Sequence, residues 1–118
     1  RAYKVIICSK QPINEKILNK LPSTVKGVIT DKKILCQIMS SESSKWVAID
    51  SLAKKINIET KNIISFGDDT NDIEMIKNAG IGVAMGNAGE DIKNIADYVA
   101  DTNQNDGVAK FLQEKLYM

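Results

Sequence analysis

The segment Gly67-Asp68-Asp69-Thr70-Asn71-Asp72 gathers three carboxylates and an amide within one short loop. It lies between an apolar run, Ile63 to Phe66, and a stretch with helical periodicity. Asp68 leaves the end of the expected strand, and Asp72 falls on the first turn of the expected helix. Both carboxylates can then turn toward one point above the sheet edge, where open parallel sheets bind ligands. Carboxylates this close repel one another unless a cation lies among them. A hard divalent ion meets that need: Mg2+ takes one or two carboxylates and completes its shell with water and phosphate oxygens. The adjoining helix N-terminus favours an anion such as phosphate. A structural alternative stands beside this reading. Asn71 and Glu74 have the spacing of a capping box, Asp72 complements the helix dipole, and Asp68 and Asp69 serve as a turn.

The elements that must hold this loop follow from the apolar pattern. Residues 3–8 read as a strand, and Pro12 opens a helix whose apolar face is Ile13, Ile17, Leu18 and Leu21. Residues 25–30 and 34–39 read as two strands joined by the turn Asp31-Lys32-Lys33. The polar run Ser40 to Ser44 is the best boundary, separating residues 1–40 from residues 41–118. Beyond it come a helix over 44–56, the strand 63–66, a helix over 72–78 stopped by Gly80, and a strand over 81–85. A short helix over 90–95, a strand over 98–100 and a last helix over 107–117 complete the chain. The first of these helices presents Ala48, Leu52 and Ile56, with Trp46, Ile49 and Ala53 beside them. The last buries Val108, Phe111, Leu112 and Leu116. Met75 and Met85 are expected in the core, and Gly82, Gly86 and Gly89 in tight turns. Strands alternating with helices imply an α/β fold with a parallel sheet.

The run from Phe66 to Met75, followed by Ala79-Gly80-Ile81-Gly82-Val83-Ala84-Met85-Gly86-Asn87-Ala88, resembles the fourth motif of haloacid dehalogenase-like phosphatases of the Cof type. Ala96-Asp97-Tyr98-Val99 and Asn105-Asp106-Gly107-Val108-Ala109 are similar to the tail of that branch. The resemblance is specific over residues 44–118 and weak before them. It implies a partial Rossmann-like core over 41–118, preceded by the end of an α/β cap domain over 1–40. It also implies Mg2+ and a small phosphorylated substrate. Position by position, Asp68 would be a direct Mg2+ ligand, and Asp72 would support the metal through a bound water. Asn71 would contact the phosphate or hold the loop, and Asp69 would have a secondary role at the metal. The family carries a Ser-Lys pair at a helix start upstream, which Ser44-Lys45 matches. Lys45 would then offset the charge of nucleophile and phosphoryl group. A lone lysine is otherwise a solvated helix end, and Trp46 replaces the small residue usual after it. Asn87 either lines the site mouth or serves a turn.

The family reaction needs an aspartate nucleophile and a second aspartate two residues later. No two aspartates in this chain have that spacing. The chain alone is therefore expected to be inactive, the C-terminal portion of a longer enzyme. Arg1 in first position, with a strand following almost at once, fits that view, as would a removed tag. Without the nucleophile strand, the strand ending at Phe66 has an open edge. A second copy of the chain, a rearranged segment or a companion fragment is expected to cover it. Two other readings compete: a phosphorylation-domain fragment of a P-type ion pump, and a non-catalytic binding or assembly module of the same fold. The pump version usually continues Ala-Pro after Asn-Asp, where this chain has Ile73-Glu74.

Composition sets outer limits. A formal charge of +1 with scattered lysines gives no basic stripe for nucleic acid. No apolar run is long enough for a membrane span, and no signal-peptide pattern opens the chain. The absence of histidine excludes Ser-His-Asp and Cys-His catalysis within this chain. Cys8 and Cys36 sit in apolar runs and read as buried, reduced thiols of a cytoplasmic protein.

Overall fold

A computed structural model describes residues 4–116, in two compact units divided between Ser43 and Ser44. The expected element ends at Tyr3 and Tyr117, and the side chain of Leu116, lie outside the described residues.

In the first unit, β1 (Lys4–Cys8), β2 (Val25–Thr30) and β3 (Leu35–Ser40) form an antiparallel sheet in the order β1-β3-β2. The helix expected from Pro12 is instead a 3-10 helix, Glu15–Lys20. The Ile13 N–H donates to the Lys33 carbonyl at 2.6 Å, which ties that backbone to the hairpin loop and delays the helix. Asn14 then caps it, its Oδ1 accepting from the Lys16 N–H at 3.0 Å. Leu18 and Leu21 cover Gly27 so closely that a Cβ there would lie 2.5 and 3.0 Å from them. Cys36 is buried, but Cys8 is exposed on the edge strand, against expectation. Cys36 pairs with Ile7 rather than with Cys8, and this one-residue offset sends the two thiols to opposite faces of the sheet.

The loop between β2 and β3 places Asp31, Lys32 and Lys33 at φ of 52°, 55° and 69°. This left-handed conformation costs roughly 1–2 kcal/mol for each ordinary L-residue. Lys32→Gly is expected to stabilise the unit by about 0.5–1 kcal/mol, after its larger loss of chain entropy. Urea unfolding would measure it, and a lowered midpoint would count against the strain.

The second unit alternates helix and strand: α1 (Lys45–Lys55), β4 (Ile64–Gly67), α2 (Ile73–Asn78), β5 (Ile81–Ala84), α3 (Glu90–Lys93), β6 (Tyr98–Val99) and α4 (Gly107–Leu116). The sheet is parallel, in the order β4-β5-β6. Alternate residues of β5 face opposite ways. Ala84 packs with Ile76, Ala88 and Ile92, while Val83 packs with Met85, Ala100 and Phe111. Helices thus cover both faces. Phe111 of α4 meets Phe66 edge-on at 5.5 Å and Tyr98 at 5.6 Å. Met75 and Met85 are buried, as expected.

Three expectations need correction. Leu52 of α1 and Ile56, the residue that caps its C-terminus, are 57% and 53% exposed, because the helix docks through Ala53, leaving Trp46 and Ile49 half-buried. Val108 is also exposed: α4 presses its Gly107 side against Asp101, where a Cβ would lie 2.1 Å from the carbonyl oxygen, and Val108 is about 100° further round. Gly82 forms no turn. It lies within β5, where a Cβ would stand 2.0 Å from the Ile76 carbonyl oxygen.

β4 pairs with β5 alone, so among the described residues its other edge carries no strand. No helix among the described residues is long and apolar enough to cross a membrane.

Candidate functional site

The acidic loop begins where β4 ends. Gly67 permits it to fold back, since a Cβ there would lie 2.4 Å from the Asp72 Cβ. The first turn is a short 3-10 helix, Thr70–Asp72, that runs into α2. Its capping box joins Asp69 and Asp72, in place of the expected Asn71 and Glu74. The Thr70 N–H donates to Asp69 Oδ1 at 2.7 Å. The Asp68 and Asp69 N–H groups donate to Asp72 Oδ2 at 3.0 and 3.3 Å.

Asp72 is 3% exposed. Its second oxygen, Oδ1, accepts from the Lys45 ammonium, so both oxygens are engaged within the protein. Lys45 opens α1, whose first turn is capped by Ser44: the Val47 N–H donates to its hydroxyl at 3.0 Å. A carboxylate held by two backbone N–H groups and an ammonium is fixed in place. It locks the loop to the start of α1 and keeps the half-exposed amine beside the acidic loop.

Asp68, by contrast, is exposed at the end of β4. Its Oδ2 accepts from the Asn87 side-chain amide at 3.0 Å. Among the described residues its Oδ1 has no hydrogen-bond partner. Asn71, half-buried, makes no side-chain hydrogen bond among them either.

The structure therefore brings Lys45 and Asp72 into direct contact and ties Asp68 to Asp72 through the backbone. Asp69 spends its carboxylate on the cap. Among the described residues no three His, Cys, Asp or Glu side chains converge as a ready metal cage. This donor set fits Mg2+, which accepts one free carboxylate oxygen and fills its remaining positions with water and phosphate. Asp68 Oδ1 is the oxygen that suits it.

Spacing alone left Asn87 undecided between site and turn; the fold gives it the hydrogen bond to Asp68. Near it, the Asp101 carboxyl is held below the usual carboxylate range by the Thr102 N–H, then by the Asn105 amide and the Lys110 ammonium.

The sequence pattern described as haloacid dehalogenase-like hydrolase matches residues 1–112. A 5-amino-6-(5-phospho-D-ribitylamino)uracil phosphatase of Bacillus subtilis is 47% identical over 70 residues, 59% of this chain and 28% of that protein. A phosphoglycolate phosphatase of Methanopyrus kandleri is 31% identical over 118 residues, 98% of this chain and 51% of that protein. A solved haloacid dehalogenase-like hydrolase of Bacillus subtilis is similar with a TM-score of 0.80 at 34% identity, over 97% of this chain and 40% of that one. The chain spans about half or less of the length of these relatives.

Proposed function

The chain belongs to the haloacid dehalogenase-like hydrolases, and from that premise we propose that it is the metal- and phosphate-binding portion of a Mg2+-dependent, cytoplasmic phosphatase acting on small phosphorylated metabolites. Relatives named as phosphatases support the reaction class. One observation carries the assignment of roles: buried Asp72 holds Lys45 on one oxygen and the Asp68 and Asp69 amides on the other, while Asp68 Oδ1 has no hydrogen-bond partner among the described residues.

In this reading Asp68 would ligate Mg2+ directly, and Asp72, its oxygens engaged by Lys45 and the loop amides, would support the metal by fixing the loop that carries Asp68. Asp69 plays a secondary part, since its carboxylate already caps the short helix. The bound cation supplies positive charge against the phosphoryl oxygens. The Lys45 ammonium offsets the charge of the phosphoryl group and its attacker, and the Asn71 amide contacts the phosphate. The nucleophile is an aspartate carried by a segment outside these 118 residues. Its carboxylate oxygen attacks phosphorus, the bond to the leaving alcohol breaks, and a second aspartate gives the alcohol its proton. Water then hydrolyses the phosphoaspartyl group. That segment adds as a strand to the free edge of β4, an edge that a second copy of the chain could otherwise cover. Residues 1–40 belong to the cap domain, where substrate choice resides.

An aryl phosphate assay tests the proposal. The chain with Mg2+ is expected to show no turnover, and the protein with its preceding region restored is expected to show Mg2+-dependent turnover. An inactive longer protein with Lys45 and Asp68 intact would leave the non-catalytic binding module as the better account.

A further inference from the structure

An exposed aspartate on a loop rotates freely, and that freedom is lost when it ligates a cation. Asp68 has been relieved of part of this cost. The Asn87 amide, 19 residues along the chain, donates to its Oδ2 at 3.0 Å. Asn87 is itself held, because the Asn103 N–H donates to its Oδ1 at 3.0 Å. These two bonds admit one orientation of the amide. Turned over, it would set its oxygen against a carboxylate and its NH2 against an N–H.

The reach from Asn87 to Asn103 depends on Gly86. A Cβ at Gly86 would lie 3.0 Å from the Ala100 oxygen, the Asp101 carbonyl carbon and the Thr102 nitrogen. The Gly86 N–H donates to the Asp101 carbonyl at 3.2 Å, drawing the two segments together. A relay thus runs from the loop before α4 through one amide to the end of β4.

We infer that Asn87 is the positioning residue for Asp68, occupying its Oδ2 so that Oδ1 alone faces the cation; this rests on the Mg2+ reading above. Groups that orient a metal ligand through a hydrogen bond typically contribute about 10–100-fold to metal affinity. Asn87 is exposed, so its truncation leaves no core cavity.

The test uses Mn2+ as a paramagnetic probe with the full 118-residue chain, following free Mn2+ by electron paramagnetic resonance. Wild-type chain is expected to bind Mn2+, which broadens the Asn87 side-chain amide resonances. Asn87→Ala is expected to weaken binding about 10-fold with its thermal midpoint nearly unchanged. Asn103→Pro removes the N–H that steadies Asn87, together with an exposed side chain that makes no hydrogen bond among the described residues. Position 103 opens its 3-10 helix, and Thr102 at φ −68°, ψ 161° already suits a residue before proline. This variant is expected to lose about 3-fold, a fraction of the whole effect, and it keeps the test open should Asn87→Ala lose its fold. Wild-type affinity in the folded Asn87→Ala chain, or in Asn103→Pro, would overturn the positioning role while Mg2+ binding at Asp68 stood. A wild-type chain that binds no Mn2+, or an Asp68→Asn chain that binds it equally well, would overturn the metal reading and this inference with it.

Discussion

Lys45→Met is expected to lower kcat about 100- to 1,000-fold in the protein with its preceding region restored, the loss typical when one charge-stabilising donor is removed. Methionine keeps the length of the side chain and removes the ammonium. The transition state would lose the positive charge set against the phosphoryl oxygens, and Asp72 Oδ1 would lose its charged partner. In the 118-residue chain the same substitution is expected to cost about 1–3 kcal/mol, the range for a buried acceptor left without its donor. The lower half of that range applies, since Lys45 is half-exposed and water can approach the vacated side. A double-mutant cycle with Asp72→Asn separates the two effects. Asparagine offers no charge to neutralise, so the two changes together should cost less than their sum by roughly 1 kcal/mol. Full activity in Lys45→Met would remove the amine from the mechanism, and strict additivity would remove the ion pair from the stability account.

Gly82→Ala should produce a large loss of stability, about 3 kcal/mol or more in the second unit. The added methyl would fall 2.0 Å from the Ile76 carbonyl oxygen and 2.9 Å from the Ile76 Cγ2. Backbone cannot swing aside as a side chain can, so β5 would have to move away from α2. That displacement would strain two more bonds, because the Gly82 N–H donates to Asp97 Oδ2 and the Asp97 N–H donates to the Gly82 carbonyl, each at 2.8 Å. Gly89→Ala is the control. Its Cβ would meet only the flexible Asp91 carboxylate, so a change of about 0.5 kcal/mol is expected. Chemical denaturation of both variants checks the pair, and similar midpoints would show that the contact at Ile76 relaxes at little cost.

Much of the second unit was legible in advance because its signals are local. Alternating apolar runs implied a parallel sheet, and the acidic loop between a strand and a helix marked the strand end where the candidate site lies. The choice of capping residues was not legible: Asn71 with Glu74 and Asp69 with Asp72 have identical spacing, and the tight return at Gly67 selects the second pair. The 3-10 helix of the first unit was read as an α-helix for a similar reason, since the Lys33 carbonyl that holds Ile13 lies on a distant hairpin. The width of the α1 face was overestimated because periodicity marks which residues share a side, and packing alone decides how much of that side is covered.

By itself, the order of residues determined the chemistry on offer, carboxylates at a strand end beside a helix N-terminus and no histidine anywhere, together with the α/β alternation that carries them. The tertiary structure alone decided how those groups divide their work. Burial committed both oxygens of Asp72 to Lys45 and to the loop backbone, while the amide of Asn87 took one oxygen of Asp68 and, among the described residues, left the other free. These assignments depend on hydrogen bonds spanning 27 and 19 residues, and such pairs meet only after the sheet has closed the chain between them.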